Sequence, residues 1–224
     1  MKNEIKTINL GFVNAFLLKA DDGGFILVDT GMPQHLEKLK EELKTAGCVP
    51  GNLKLIVATH GDQDHIGNCA KLKESYSSRI AMHEADSSMI EKQAYDRKCR
   101  GFFAKFFDLI LKTMFFFRGE TKIEKFFPDL FLEDGRSLLE FGIDAKVIHI
   151  PGHTKGSIGI LFPNGDFIAG DTLGNMRGPD LAIFIDNYDD LKKSIEKLMS
   201  LGIKKVYSGH GKPFDFEAVS GKRL

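Results

Sequence analysis

Cysteine is scarce in this chain, and the three present, Cys48, Cys69 and Cys99, are odd in number and never spaced as CxxC. That excludes a disulfide framework and a cysteine-type zinc knuckle. Net charge is absent too: 31 Lys and Arg balance 31 Asp and Glu. No overall field therefore draws the protein to nucleic acid or to an anionic membrane, and no nucleic-acid partner is expected. No long apolar run follows the N-terminal Met-Lys-Asn-Glu-Ile-Lys, which argues against a signal peptide. The greasiest stretch, residues 102–117, is broken by Lys105, Asp108 and Lys112 and is too short and too charged to span a bilayer. A cytoplasmic protein is expected. Neither an internal repeat nor a low-complexity linker interrupts the 224 residues, and 42% of them are hydrophobic. That suits one domain over residues 1–224 with a sizeable core.

What is present alternates between strand and helix signals. Residues 12–19 and 25–29 are apolar runs joined by Asp21-Asp22-Gly23-Gly24, a turn composition. Pro33 opens a helix with Leu36, Leu39, Leu43 and Ala46 on one face, and Gly47 closes it. Residues 53–58 read as a buried strand, followed by a polar loop over 59–67. In layered α/β folds ligands bind at such strand ends. The second half repeats this logic. A strand over 145–150 ends in Pro151-Gly152-His153, and a hairpin turns at Asn164-Gly165 and ends in Gly170-Asp171. A helix over 191–201 leads to a last strand over 204–207, ending in Gly209-His210. Four strand ends thus each deliver a His or an Asp into a loop.

The strongest chemical signal is Thr59-His60-Gly61-Asp62-Gln63-Asp64-His65. Two imidazoles and two carboxylates this close repel or lie unpaired unless a cation joins them. A solvated acidic loop with incidental histidines is the plain alternative for the cluster alone. It is not alone: His153, Asp171 and His210 sit in Pro-Gly-His-Thr, Ala-Gly-Asp-Thr and Ser-Gly-His-Gly, where small residues let backbone approach a metal closely.

In that order these motifs, with Val28-Asp29-Thr30-Gly31 ahead of them, resemble the metallo-β-lactamase superfamily over almost the whole chain. The resemblance implies an α/β fold, a four-layer αβ/βα sandwich with a site between two sheets. It implies two divalent metal ions: His60, Asp62 and His153 at one, Asp64, His65 and His210 at the other, and Asp171 bridging them together with a water or hydroxide. Asp64 and Asp171 are the expected catalytic carboxylates, Asp64 returning a proton to the leaving group. Asp29 is expected to orient the metal loop rather than to ligate. Position 62 departs from the family, which usually has His there. An oxygen donor is harder than imidazole and suits manganese or iron better. With two divalent ions and one hydroxide the site comes to roughly zero charge, against roughly +1 for the His version. Zinc is the family's usual metal; iron and manganese stay open because of Asp62.

Other polar residues read as structural: His149 hydrogen-bonded on a strand, His83 at a strand end, His35 on a helix surface, and Thr154 and Thr172 bonding loop backbone. Cys69 has an apolar setting with nothing to activate it.

Ten of the 19 Phe fall between Phe102 and Phe131, in an expected helical insertion over about 95–128. Phe103, Phe106, Phe107, Ile110 and Met114 share a helical face. Packing over the core, a lid on the site, an interfacial membrane contact flanked by basic residues, and a homodimer interface all fit that pattern. A Phe-lined lid would favour an apolar or acyl small-molecule substrate.

The favoured function is a metal-dependent hydrolase acting on an ester, lactone or thioester. A flavodiiron-like di-iron redox enzyme is the alternative, supported by Asp62, although no flavodoxin-like domain is attached. A membrane-surface or partner-binding module is the third reading, and the full ligand set argues against it.

Overall fold

A computed structural model describes residues 4–88, 98–100, 113 and 123–222. The expected helix over 102–117, with its lid, membrane and dimer readings, lies outside the described residues.

Two sheets form the centre. The first has the order β1 (Ile5–Asn9), β2 (Asn14–Lys19), β3 (Phe25–Val28), β4 (Leu53–Val57), β5 (Arg79–Met82) and, after the pair strand β6 (Lys98–Cys99), β7 (Leu130–Phe131). β1–β3 run antiparallel and β3, β4, β5 and β7 parallel. The second sheet comprises β8 (Lys146–His149), β9 (Ile158–Leu161), β10 (Asp166–Gly170), β14 (Lys205–Ser208) and β15 (Phe214–Asp215) in the order β15-β14-β10-β9-β8. Three short strands, β11 (Leu173–Gly174), β12 (Asp180–Leu181) and β13 (Phe184–Ile185), lie beside it; β13 pairs with β6.

The period-two alternation of side chains splits each strand between two cores. On β2 and β3, Phe16, Leu18, Ile26 and Val28 face the space between the sheets, where they meet Val147, Ile158, Ile160 and Ile168. Leu17, Phe25 and Leu27 face outward against α1 (Leu36–Thr45) and α3 (Cys69–Tyr76) through Leu39, Leu43 and Leu72. On the second sheet Phe167, Ala169 and Val206 face α4 (Tyr188–Met199) through Leu191, Ile195 and Leu198. Burial on both faces is why these strands read as continuous apolar runs. The result is an αβ/βα sandwich. Among the described residues no helix is long and apolar enough to cross a membrane.

Several sequence expectations shift. Residues 59–67 are not all loop: Gln63–Ile66 forms a helical turn, α2, because the carbonyl of Asp62 accepts the N–H groups of His65 and Ile66. Phe12 stands before β2 in an exposed turn. His35 is half-buried in a 3-10 turn over Pro33–His35, ahead of α1, with its Nδ1 sealed from solvent; it is not a helix-surface residue. The strand over 204–207 is followed by β15 and a short helix, α5 (Glu217–Ser220). The remaining strand, hairpin and helix expectations hold to within a few residues.

Candidate metal centre

The sequence cluster becomes a spatial one because four parallel-running strand ends meet at one edge of the sandwich. β4 leads to His60, Asp62, Asp64 and His65; β8 leads to His153; β10 and β14, paired in parallel with Gly170 opposite Ser208, present Asp171 and His210 side by side. The sheets are tied at this edge by the N–H of Ile158 donating to the carbonyl of Thr59 at 2.8 Å.

Two groups result. Donor atoms of His60, His153 and Asp171 lie within 4.8 Å of one another, as do those of Asp64, His65 and His210. Asp62 sits in the first half: its Oδ2 is 3.3 Å from His60 Nε2 and 3.2 Å from His153 Nε2. Asp171 stands between the halves, with Oδ1 3.4 Å from His65 Nε2 and Oδ2 3.0 Å from His210 Nε2 and 3.9 Å from His153 Nε2. His60 Nε2, His65 Nε2 and Asp171 Oδ1 are buried without a hydrogen-bond partner. Orphaned polar atoms that converge on one point are what a metal would satisfy, so the donor set fits a dinuclear centre. All seven expected ligand residues are thus brought to one place.

Each of the four clustered histidines is held by its Nδ1 so that Nε2 faces inward. His153 Nδ1–H donates to the carbonyl of Phe184 at 2.8 Å and His210 Nδ1–H to that of Phe12 at 2.5 Å. His65 Nδ1–H donates to Asp29 Oδ2 at 2.8 Å. Thr59 Oγ1 gives its own proton to Asp29 Oδ2 at 2.8 Å, leaving a lone pair that accepts His60 Nδ1–H at 3.0 Å. A tautomer fixed in this way leaves the Nε2 lone pair for a cation.

Charge balance agrees. Burial pushes the His65 imidazole down, but the carboxylates of Asp171, Asp29 and Asp64 outweigh it and hold it well above the ordinary histidine value. Burial likewise lowers His210, yet Asp171 and Asp64 raise it to about 9. Burial raises Asp171, and His210 and His65 more than reverse that, holding it well below the carboxylate range. The carboxylates demand positive charge here, and a bound metal ion would supply it in place of protons.

Asp29 behaves as expected from the sequence. It is fully buried and accepts from Thr59 N–H as well as from Thr59 Oγ1 and His65. Its backbone is left-handed, with φ of 61°. That conformation is tolerated by Asp at a modest cost and turns the chain from β3 toward the metal loop. Gly209 also has a steric reason: a Cβ there would lie 2.2 Å from Asp171 Oδ1 and 2.6 Å from His65 Cε1.

Residues outside the expected set also shape the centre. Asn14 opens β2 and pins the loop carrying His210: its side-chain amide donates to the carbonyls of Ser208 and Gly211, and its N–H to that of Gly209. Asp86, in a 3-10 turn after β5, is buried and accepts from Gly61 N–H at 2.9 Å, Thr154 Oγ1–H at 2.7 Å and Gly156 N–H at 2.7 Å. No motif marked either residue; the only clue was that Asp86 follows a strand end of the same sheet. Thr172 Oγ1 donates to the carbonyl of Ile150 and Thr154 binds Asp86, so both threonines hold loops, as expected. His83 and His149 stack with ring centroids 4.0 Å apart, and His149 Nε2–H donates to the carbonyl of Lys155. Both are structural.

The comparisons with known proteins point the same way. The probable metallo-hydrolase YflN of Bacillus subtilis is 28% identical over 92% of this chain and 83% of its own length. The hydroxyacylglutathione hydrolase GloC of Haemophilus influenzae is 26% identical over 72% of this chain and 66% of its own length. The structure of TTHA1623 in a di-iron-bound form superposes with a TM-score of 0.68 at 25% identity, covering 96% of both chains. The sequence profile of the metallo-beta-lactamase superfamily matches residues 8–210, a span that runs from the first sheet to the last of the clustered histidines, and this chain belongs to that superfamily.

Proposed function

We propose that the chain is a metal-dependent hydrolase of acyl bonds, with esters, lactones and thioesters as its substrate class. The observation that carries this is the solvent access to one edge of the donor cluster, at Asp64. Asp64, with 34% of its side chain exposed, is the most accessible of the clustered residues, and His210 beside it is the next. Phe12 and Met176, 78% and 36% exposed, belong to the two segments bonded to the His210 loop. Phe12 is fixed there because its carbonyl holds His210, and Met176 follows Asn175, whose N–H donates to the His210 carbonyl. A polar centre with an apolar rim suits a reactive carbonyl attached to an apolar chain.

Two bound cations would supply an acidified water and a positive charge on the substrate carbonyl oxygen. The four Nε2 atoms with Asp62, Asp64 and Asp171 would hold those cations. Asp64, open to solvent at the substrate side, takes the proton of the attacking water and returns it to the leaving oxygen or sulfur as the acyl bond breaks. The fixed Nδ1 partners keep this geometry in place through turnover. The likeness to GloC, a hydroxyacylglutathione hydrolase, supports the thioester end of the class.

Asp62 favours a second reading, a di-iron redox centre, since a carboxylate suits iron better than imidazole does. The likeness to TTHA1623, solved in a di-iron-bound form, supports iron as the metal. One experiment separates the two. The full chain, loaded in turn with zinc, manganese and iron, is assayed against ester, lactone, thioester, phosphodiester and β-lactam substrates, and for oxygen consumption with an electron donor. Acyl hydrolysis with a redox-inert metal supports the first reading. Turnover confined to the iron form and tied to oxygen consumption overturns it.

A further inference from the structure

We propose that Asp86 is a positioning residue dedicated to one half of the dinuclear centre, the half formed by His60, Asp62 and His153. The inference rests on the dinuclear reading. Asp86 lies on neither ligand loop, yet its one carboxylate joins them. Its Oδ2 accepts from the N–H of Gly61, which separates His60 from Asp62, and from Thr154 Oγ1–H, directly after His153. Its Oδ1 accepts from Gly156 N–H. The two loops come from different sheets, 93 positions apart when His60 and His153 are compared. They converge on Asp62 Oδ2, which lies 3.3 and 3.2 Å from the two imidazoles.

The remaining contacts close the bracket. Thr154 Oγ1, having given its proton to Asp86, accepts from Ser157 Oγ–H at 2.7 Å, and Ser157 Oγ accepts Thr154 N–H at 3.0 Å. A Cβ at position 156 would lie 2.6 Å from Asp86 Cγ, so the carboxylate and the loop are in close contact. Asp86 is 1% exposed and takes three donors, the condition under which a buried carboxylate is stable as a brace. None of its hydrogen bonds reaches Asp64, His65 or His210. Asp29 is different: it holds His65 directly and His60 through Thr59, and so spans both halves.

The bracket therefore sets the separation of His60 and His153, and with it the affinity of one metal position only. Hydrogen-bond partners that orient metal ligands are commonly worth about 10–100-fold in metal affinity. Asp86→Asn keeps volume but turns an amide N–H₂ toward a donor, so at least one bond is lost. Thr154→Val removes another without touching Asp86, and Thr154→Ser restores it.

The test is competitive titration of the full chain with manganese, read by elemental stoichiometry and by electron paramagnetic resonance, which separates a coupled pair from a lone ion. The parent is expected to bind two equivalents. Asp86→Asn and Thr154→Val should each weaken one equivalent about 10–100-fold, leave the other unchanged and convert the coupled signal to that of a lone ion, and Thr154→Ser should recover the pair. In a His153→Ala background, Asp86→Asn should have no further effect on the surviving equivalent. Equal weakening of both equivalents, or no change in either, overturns the assignment. A parent that takes up fewer than two equivalents overturns the dinuclear reading itself, and the inference with it.

Discussion

Gly209→Ala isolates the packing of the metal centre from its chemistry. The residue is not in a left-handed conformation, so alanine meets no backbone penalty. The added methyl would lie 2.2 Å from Asp171 Oδ1, about 1.2 Å short of the 3.4 Å at which ordinary contact begins, and 2.6 Å from His65 Cε1. Neither neighbour yields freely. His65 is tied to Asp29 and Asp171 lies between His65 and His210. Overpacking of this kind costs roughly 1–3 kcal/mol. For a chain of this length that is a fall of about 2–4 °C in melting temperature per kcal/mol. A displacement near 1 Å in a catalytic array costs on the order of 100-fold in rate. The assay is metal content after equilibrium dialysis, thermal melting, and turnover of whichever acyl substrate the parent cleaves. Gly174→Ala serves as the control, because its Cβ would meet nothing within 4 Å. If Gly209→Ala matches Gly174→Ala in metal content, melting temperature and rate, the close approach at position 209 does not constrain the centre and the reasoning fails.

Four further outcomes follow from other parts of the structure. Asp62→His should raise the preference for zinc over manganese and iron in competitive loading; unchanged selectivity would remove Asp62 from the ligand set. Phe12→Ala should raise KM for long-chain acyl substrates more than for short ones at unchanged metal content, since the carbonyl that holds His210 remains; an equal effect on both chain lengths refutes the apolar rim. Burial pushes the Asp129 carboxyl up, but hydrogen bonds from Lys73 and from Ile80 N–H overcome it and hold the carboxyl below the usual range. Its contribution to stability is therefore present above the unfolded pKa of about 3.9 and lost as pH falls through the lower folded value; Asp129→Asn should flatten that acid limb, which chemical denaturation at pH 2–6 would reveal. Burial raises the Cys48 and Cys69 thiols to about 12, so iodoacetamide should leave both unmodified in the folded chain and reach them after denaturation, and native labelling of either would contradict their burial.

The metal centre was legible because its chemistry is concentrated: His60 to His65 gathers two imidazoles and two carboxylates in six residues, and His153, Asp171 and His210, each after a strand signal, tip the reading from a solvated loop to a cation site. The central strands were legible because burial on both faces makes them largely apolar, as at Leu55, Ile56 and Val57. β1 was not singled out, because Ile5–Asn9 is a half-buried edge strand with Lys, Thr and Asn in it. α3 escaped because Cys69–Tyr76 has two lysines and a glutamate in eight residues and only a weak apolar face. Asp86 and Asn14 could not be found from sequence: each acts through a partner far along the chain, 68 residues to Thr154 and 194 to Ser208. His35 was misplaced because a polar residue in the helix opened by Pro33 reads as helix surface, whereas Gly31 allows its ring to pack inward.

The tie between Phe12, Asn14 and the His210 loop has a consequence for biosynthesis. Phe12, in the turn before β2, and Asn14, at its start, hold the loop of the last clustered ligand, His210, which lies 198 residues after Phe12. A nascent chain cannot assemble both halves of the centre until nearly all of it has emerged, whatever order the sheets form in. Complete metal uptake thus requires the His210 loop, and a ribosome-bound or C-terminally nicked species lacking that loop should be recognisable by a single residual metal. Closure of so long a loop also places this step among the slower events of folding.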